Sequence, residues 1–205
     1  MPYTALFRSW EIRGNAPSAA DLSATWYVSW DASNLYISAD VKDNSQDWTG
    51  NEGGPFNVQD TVQPVFNPHN DPGCAFPACA AIYDLAIDNK DGTGAGIYRH
   101  GPGGFDASTV SIAGTKDGTA GYVLESAIPW STAVGGGYTP ANGDVHGLGF
   151  ILVSQSPSTQ LYTDFGNGAN TIGNSASWNS ITLVPEPGTL CLLVGPNEID
   201  QFTPF

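Results

Sequence analysis

One tryptophan lies within a polar loop sequence and a second directly follows one. Trp48 lies within residues 43–57, which are rich in Asp, Asn, Gly and Gln, and Trp178 follows the polar run 174–177. A loop indole ring can cover the apolar C–H face of a pyranose, while amides, carboxylates and guanidinium groups bind its hydroxyls. Core packing is the alternative for Trp178, and a surface salt bridge for Arg99. The polar candidates for a sugar site are Gln63, Arg99, Asp60 and Asn57.

Two acidic clusters contain the oxygen ligands that calcium prefers. Turns rich in Asp, Asn and Gly also form for backbone reasons alone, so a metal role and a turn role are both open. The chain has 20 Asp and Glu against 6 Lys and Arg, a net charge of −14. A bound cation would relieve this self-repulsion, so we expect structural calcium. The candidate ligands are Asp40, Asp43 and Asp47 in one cluster and Asp88 and Asp91 in the other, with Asp60 as a further candidate.

Catalytic signals are weaker than binding signals. A glycosidase needs two carboxylates facing each other across a cleft, and Glu52 with Asp60 is the pair that such an enzyme would use here. No G-x-S-x-G motif supports serine hydrolase chemistry. Met1 is the single methionine, so we expect no haem held by Met and His.

Charge and hydropathy exclude several classes of partner. A chain with this acidic balance cannot replace the counterions of a nucleic-acid backbone, and it would be repelled by anionic lipid. No apolar run approaches the length needed to span a membrane. Cys74 and Cys79 enclose a short segment with Pro77, in a loop context that favours a local disulfide over two free thiols.

Alternation with a period of two dominates the chain and predicts strands. Residues 26–30 and 35–41 form a predicted hairpin, and the nearly continuous apolar run 147–154 predicts a central buried strand. Residues 61–66 are a predicted strand. Because Pro64 cannot donate a hydrogen bond to a neighbouring strand, this strand is predicted at a sheet edge or with a bulge. With further segments at 82–88, 96–100, 109–114, 122–130, 161–165 and 178–184, about nine to eleven strands are predicted. The fold class is therefore all-β, a two-sheet antiparallel sandwich of jelly-roll type.

Three regions follow from the pattern. Residues 1–20 form an N-terminal segment, residues 21–184 form the predicted sandwich, and residues 185–205 form a C-terminal tail. The tail begins with a Pro-rich stretch and continues with a brief apolar one before it turns acidic and irregular.

Five segments, in order, resemble carbohydrate-binding module family 9 and its DOMON-like relatives. Residues 30–43 resemble the signature hairpin of this family, and residues 122–130 contain its E-x-A-I-P-W stretch. The other three segments are 59–66, 143–150 and 178–183, so the resemblance covers roughly residues 20–184. The family's opening strand, with an Ile-Asp-Gly signature, has no counterpart before Asp21, which predicts an open sheet edge.

The resemblance implies a β-sandwich that binds sugars, often holds structural calcium, and is attached to a secreted hydrolase. Sites of this family use two tryptophans that enclose a terminal sugar. Trp48 lies where one of them is expected, and Trp178 is the candidate for the second.

The C-terminal tail carries a second resemblance. Residues 184–190 resemble the Pro-Glu-Pro sorting signal of bacterial surface proteins associated with exopolysaccharide. The apolar part stops at Val194, and no Lys or Arg follows it. We therefore expect a secreted or cell-surface bacterial protein whose anchor signal is degenerate.

Three functions are consistent with these features. The leading one is a non-catalytic carbohydrate-binding module that binds a polysaccharide or its chain ends through aromatic stacking. The second is an extracellular structural or fibre subunit that assembles by strand exchange at the open sheet edge. The third is a small glycan hydrolase on the same sandwich.

Overall fold

The computed structural model describes ten ranges of the chain: 5–8, 11–14, 22–44, 60–71, 81–87, 95–100, 110–117, 121–156, 159–165 and 179–184. For 5–8, 11–14, 81–87, 95–100 and 159–165, and for 116–117 and 155–156, only the backbone is described. Within these ranges no helix is long and apolar enough to cross a membrane.

The described ranges form two antiparallel sheets and one short helix. In chain order the elements are β1 (Ala5–Arg8), β2 (Glu11–Gly14), β3 (Leu22–Trp30), β4 (Asn34–Asp43), β5 (Thr61–Asn67), β6 (Ala81–Ile87), β7 (Ala95–His100), β8 (Ser111–Asp117), β9 (Gly121–Pro129), α1 (Trp130–Ala133), β10 (Val145–Ser156), β11 (Thr159–Phe165) and β12 (Asn179–Thr182). The first sheet has the order β1-β3-β4-β9-β8, and the second has the order β2-β11-β10-β5-β6-β7, with β12 also paired to β10. The predicted all-β antiparallel sandwich is confirmed.

The core lies between the sheets and follows the alternation of the sequence. Trp26 in β3 is fully buried, and its ring stacks on Phe150 of β10 with centroids 4.3 Å apart. The predicted β3–β4 hairpin is confirmed by continuous pairing. Trp130 joins this hairpin to the end of β9, because its Nε1 donates to the Asp31 carbonyl at 2.8 Å and its backbone N donates to the Ser33 carbonyl at 3.0 Å.

The segment before Asp21 contributes one strand to each sheet. β1 pairs with β3 along Ala5–Arg8, and β2 pairs with β11 along Glu11–Gly14. The expectation that no opening strand precedes Asp21 was therefore wrong. Each of these strands has four residues, which is too short for alternation to show, and each lies at the edge of its sheet.

Pro64 occupies an interior strand, which corrects the predicted edge or bulge. β5 lies between β10 and β6 in the second sheet. Its pairing with β10 is continuous from residue 61 to 67, whereas its pairing with β6 is interrupted at residues 63 and 64. Proline lacks one backbone N–H donor, and here only the pairing of β5 with β6 is interrupted. The apolar run 147–154, by contrast, is confirmed as a central strand, β10.

Gly121 allows β9 to approach β4 closely. A Cβ built on Gly121 would lie 1.9 Å from the Val41 carbonyl oxygen, so any larger residue forces the backbone apart.

We predict that Gly121→Ala lowers the free energy of unfolding by about 1–3 kcal/mol, as is typical of overpacked sites. Gly136→Ala is the matched control, because nothing lies within 4 Å of its added Cβ. Urea unfolding of both variants measures the difference, and equal stabilities would contradict the close approach.

Candidate functional site

The outer face of the second sheet carries a buried amide. Every residue from Thr61 to Asn67 is buried, although alternate side chains of β5 point to opposite faces. Val62 and Phe66 belong to the core between the sheets. Gln63 does not, and its Nε2 donates to Thr61 Oγ1 at 3.0 Å. Thr61 and Gln63 therefore share the face that points away from the core. Thr61 is not among the predicted site residues, although its position two residues before Gln63 in a strand places both side chains on one face.

The surroundings of Gln63 on this face are apolar. In the ladder Gln63 lies opposite Ile151 of β10, and Thr61 lies opposite Val153. Ile151, Val153 and Val65 are at most 3% exposed, yet none of them belongs to the cluster between the sheets. On the outer face of β5 and β10, the side chains around Gln63 are therefore mostly apolar and buried, and the Gln63 carboxamide lies at their centre. We call this set, Thr61, Gln63, Val65, Ile151 and Val153, the Gln63 face.

Two segments, each with one candidate tryptophan, are connected to strands that form or adjoin the Gln63 face. Residues 45–59, which include Trp48, end immediately before Asp60 and β5. β11 ends at Phe165, opposite Phe150, and β12 begins at Asn179, opposite Leu148. The segment 166–178, which includes Trp178, thus begins and ends beside two nearby positions of β10.

Several predicted site residues have no described side chain. Arg99 lies in β7, where its backbone pairs with Tyr83 of β6, and the neighbouring Tyr98 pairs with Asp84. Nine predicted residues fall outside the described ranges: Trp48, Trp178, Asn57, Glu52, Asp47, Asp88, Asp91, Cys74 and Cys79. Their predicted roles stay predictions.

Two candidate calcium ligands are buried near one tyrosine. Asp43 at the end of β4 and Asp60 before β5 are both fully buried. Burial raises the pKa of the Tyr122 hydroxyl well above its usual value, and the negative charges of Asp60 and Asp43 raise it further. Both carboxylates therefore lie within electrostatic range of the same buried group.

Asp40 is separated from this pair. Asp40 is exposed. It lies three residues before Asp43 in β4, and side chains an odd number of residues apart in a strand point to opposite faces. The structure therefore does not bring Asp40 and Asp43 together. Over the described ranges, no three His, Cys, Asp or Glu side chains gather in a way that could hold a metal ion.

A hydrogen-bonded network fixes the end of the β5–β10 pair. His146 of β10 is 2% exposed, and its Nδ1 lies 2.6 Å from the Pro68 carbonyl oxygen just beyond β5. Because a carbonyl can only accept, Nδ1 carries the proton. His146 Nε2 lies 3.0 Å from the Tyr138 hydroxyl, which donates to the Asp144 carboxylate. That carboxylate also accepts from the Ala141 amide, and both hydrogen bonds lower the pKa of Asp144.

Comparison with known proteins agrees with this architecture. A family model described as carbohydrate family 9 binding domain-like matches residues 4–183. A solved carbohydrate binding module family 9 from Caldicellulosiruptor kristjanssonii, in complex with cellotriose, aligns with a TM-score of 0.67 and 17% identity over 94% of this chain and 89% of that one. A structure of such a module from the same organism, in complex with glucose, aligns with a TM-score of 0.63 and 19% identity over 89% and 87%.

An endo-1,4-beta-xylanase A from Thermoanaerobacterium saccharolyticum is 28% identical to this chain over 130 residues. The match covers 63% of this chain but only 10% of the xylanase. This chain thus corresponds to a small part of that much longer protein.

The two antiparallel sheets and the likeness to these solved structures define the fold class of the protein, a two-sheet antiparallel β-sandwich. The family match, which spans most of the chain, goes further. The chain belongs to the carbohydrate family 9 binding domain-like family, and it is a carbohydrate-binding module.

The burial of His146 makes the stability of the fold depend on pH. Burial lowers the pKa of His146, against the opposing effects of the Pro68 carbonyl and the Asp144 charge; His69 contributes in the same direction as burial. In the unfolded chain the pKa of histidine returns to about 6.5. Between the two pKa values the unfolded state binds more protons, so the free energy of unfolding falls as the pH falls below about 6.5.

We predict that wild-type protein loses more stability between about pH 7.5 and about pH 5 than His146→Gln does. Urea unfolding midpoints at both pH values give the two losses. His146→Gln is expected to be less stable at the higher pH because the network is broken, so the comparison rests on the change with pH in each protein. An equal loss in both proteins would show that His146 does not carry the effect.

Proposed function

We propose that the protein binds a neutral glucan, at a chain end or over a short stretch, on the Gln63 face, and that it does so without cleaving it. The observation that carries this proposal is the position of Gln63. A carboxamide is buried at the centre of a sheet face that points away from the core, among side chains that are otherwise apolar. The cellotriose and glucose bound by the two similar solved modules support a gluco-configured ligand.

The chemistry of this face suits a pyranose ring. A sugar presents apolar C–H faces and a rim of hydroxyls that both donate and accept hydrogen bonds. Val65, Ile151 and Val153, which are at most 3% exposed, would form the apolar base of the site, and the Gln63 amide has both a donor and an acceptor. Thr61 holds the amide through the 3.0 Å hydrogen bond, so the amide loses little conformational freedom when a sugar binds.

Trp48 and Trp178 complete the proposed site as stacking rings. Both belong to segments that join the sheet beside the Gln63 face. A pair of indole rings around the end of a chain would select a terminal sugar over the interior of a long polymer. Arg99 and Asn57 are proposed as further hydrogen-bonding partners of the hydroxyls.

The direction of the Asp60 side chain supports binding over hydrolysis. Glycosidase carboxylates face each other across a cleft and must reach the scissile bond. Asp60 lies at a core-facing register position, two residues before Val62, on the side opposite to the Gln63 face. The small share of the xylanase that this chain matches supports a role as an attached module of an extracellular glycan-degrading protein.

Gln63→Ala and Trp48→Ala test the site. Titration calorimetry with cellotriose is expected to show about tenfold weaker binding for Gln63→Ala, equivalent to about 1.4 kcal/mol, because one hydrogen-bonding group is lost. Trp48→Ala is expected to abolish measurable binding, because the stacking surface is lost. Lys42→Ala, an exposed change in β4 of the other sheet, is the control with wild-type affinity.

Unfolding midpoints of all three variants separate loss of the site from loss of the fold. Wild-type affinity in both Gln63→Ala and Trp48→Ala would contradict the proposed site. Release of reducing sugar from glucan or xylan by the wild-type protein would contradict its non-catalytic character.

Structural calcium is part of the proposal. Asp43 and Asp60 fit such an ion, because calcium prefers hard carboxylate oxygens and because two buried negative charges in one electrostatic neighbourhood favour a cation. These two carboxylates would hold the ion and fix the end of β4 against the start of β5. Residues 45–59, which include Trp48, connect those two points in the sequence, so the ion would also restrict the proposed site.

The calcium prediction compares Asp43→Asn with Asp40→Asn. We expect calcium to raise the melting temperature of wild-type protein and of Asp40→Asn relative to EDTA, since Asp40 is exposed on the other face of β4. Asp43→Asn is expected to lose this difference. A calcium effect of wild-type size in Asp43→Asn would exclude Asp43 as a ligand.

A further inference from the structure

The outer face of the first sheet carries a groove of about 450 Å³ that crosses β3, β4, β9 and β8. It lies on the opposite side of the sandwich from the Gln63 face. Pairing aligns its lining in cross-strand rows: Tyr27 lies opposite Ser38, which lies opposite Glu125. A second row begins with Ser29 opposite Tyr36. The polar and aromatic lining consists of Tyr27, Tyr36, Ser29, Ser38, Ser111, Glu125 and Ser126.

Small side chains form the bottom of this groove. Ala113 lies opposite Glu125, and Ala127 lies opposite Tyr36, so two alanines stand where larger side chains would fill the space. Four neighbouring strands and two rows give a platform of about 14 Å by 7 Å, from the usual strand and residue spacings. The groove is therefore long and shallow and is bordered by rings.

One of the two rings is held in place by hydrogen bonds. The Tyr36 hydroxyl donates to Asp31 Oδ2 at 2.8 Å and accepts from Asn34 Nδ2 at 3.2 Å. The other carboxylate oxygen of Asp31 accepts from the backbone amides of Ser33 and Asn34, which fixes it within the turn. The ring of Tyr36 thus has a defined orientation before any ligand arrives.

The second ring, Tyr27, is 38% exposed and lies diagonally across from Tyr36 on the neighbouring strand. Diagonal neighbours of this kind lie about 7–8 Å apart, within reach of one extended ligand. Ile37 and Ile112 also line the groove, but Ile37 belongs to the core between the sheets and Ile112 packs against it, and no arginine is among the described lining residues. Ring faces next to serine hydroxyls and a carboxylate match the mixed apolar and hydroxyl surface of a sugar chain.

We propose that this groove, the Tyr27–Tyr36 groove, is a second glycan-binding surface and that it takes an extended, uncharged polysaccharide chain. Glu125 is the one charged side chain among the described lining residues, and the net charge of the chain is −14. Both negative charges repel an anionic polymer, so anionic chains are disfavoured. The Gln63 face would then bind a chain end, while this groove would bind the length of a chain.

Affinity gel electrophoresis tests the groove with two polymers on the same cellulose backbone, neutral hydroxyethyl cellulose and anionic carboxymethyl cellulose. The Trp48→Ala variant serves as background, because it removes the site proposed on the Gln63 face. In this background we expect retardation by hydroxyethyl cellulose, and we expect Tyr27→Ala to raise the apparent Kd at least about fivefold. Tyr27→Phe, which keeps the ring, is the matched control and is expected to retain binding.

A second variant gives the same answer without removing a ring. Ala127→Leu fills the groove beside Tyr36 and is expected to weaken retardation as much as Tyr27→Ala does. Unchanged retardation in both variants, with unfolding midpoints like those of the background, would overturn the groove as a glycan site. Equal, Tyr27-dependent retardation by carboxymethyl cellulose would overturn its preference for uncharged chains.

Two other outcomes distinguish binding in the Tyr27–Tyr36 groove from binding on the Gln63 face. If Trp48→Ala and Gln63→Ala bind cellotriose like wild type while Tyr27→Ala abolishes retardation, the site on the Gln63 face fails and the groove stands. If Tyr27→Ala changes the oligomeric state in sedimentation experiments and leaves retardation unchanged, the groove is an interface between proteins, and the glycan proposal is overturned.

Discussion

The pairing of β5 with β10 is the constraint on which the rest of the structure depends. Both strands are buried on their two faces at consecutive positions, from Thr61 to Asn67 and from Gly147 to Ser154. One face of the pair contacts the first sheet through Phe150 and Trp26, whose rings stack. The other face must be covered or occupied, because apolar side chains such as Ile151 and Val153 lie there. The proposed binding face is therefore built on two paired strands that are buried on both sides.

Tight local contacts hold the first sheet against this pair. Trp130 at the end of β9 donates two hydrogen bonds to the turn between β3 and β4, and so joins two segments far apart in sequence. The ring of Trp130 lies 5.6 Å from that of His146 of β10, and His146 is tied to the Pro68 carbonyl beyond β5. The same turn, through Asp31, also orients Tyr36 on the outer surface. One turn therefore serves both the core and the second proposed binding surface.

Alternation in the sequence was enough to predict the fold class, the β3–β4 hairpin and the central strand β10, because these elements bury one or both faces over many residues. It was not enough for β1 and β2, whose four residues hold too few alternating positions. Pro64 was assigned to an edge because proline lacks a donor. The structure keeps β5 in the interior because only the ladder with β6 is interrupted.

The candidate site was predictable in its residue types and less so in its geometry. Gln63 could be placed opposite Val62 from the period of a strand, but its partner Thr61 and its apolar surroundings depend on the register with β10. The grouping of Asp40 with Asp43 followed from closeness in sequence, whereas a strand separates such neighbours by face. The Tyr27–Tyr36 groove was not predicted at all, since it exists only where four strands align.

Binding of sugar on the Gln63 face can be tested at residue resolution. Nitrogen–proton correlation spectra of the ¹⁵N-labelled protein are recorded during titration with cellotriose. If the sugar binds on this face, the side-chain amide signals of Gln63 and the backbone amide signals of Thr61, Ile151 and Val153 will shift and saturate together. Saturable binding that leaves these signals in place and shifts only amides of the first sheet would contradict it.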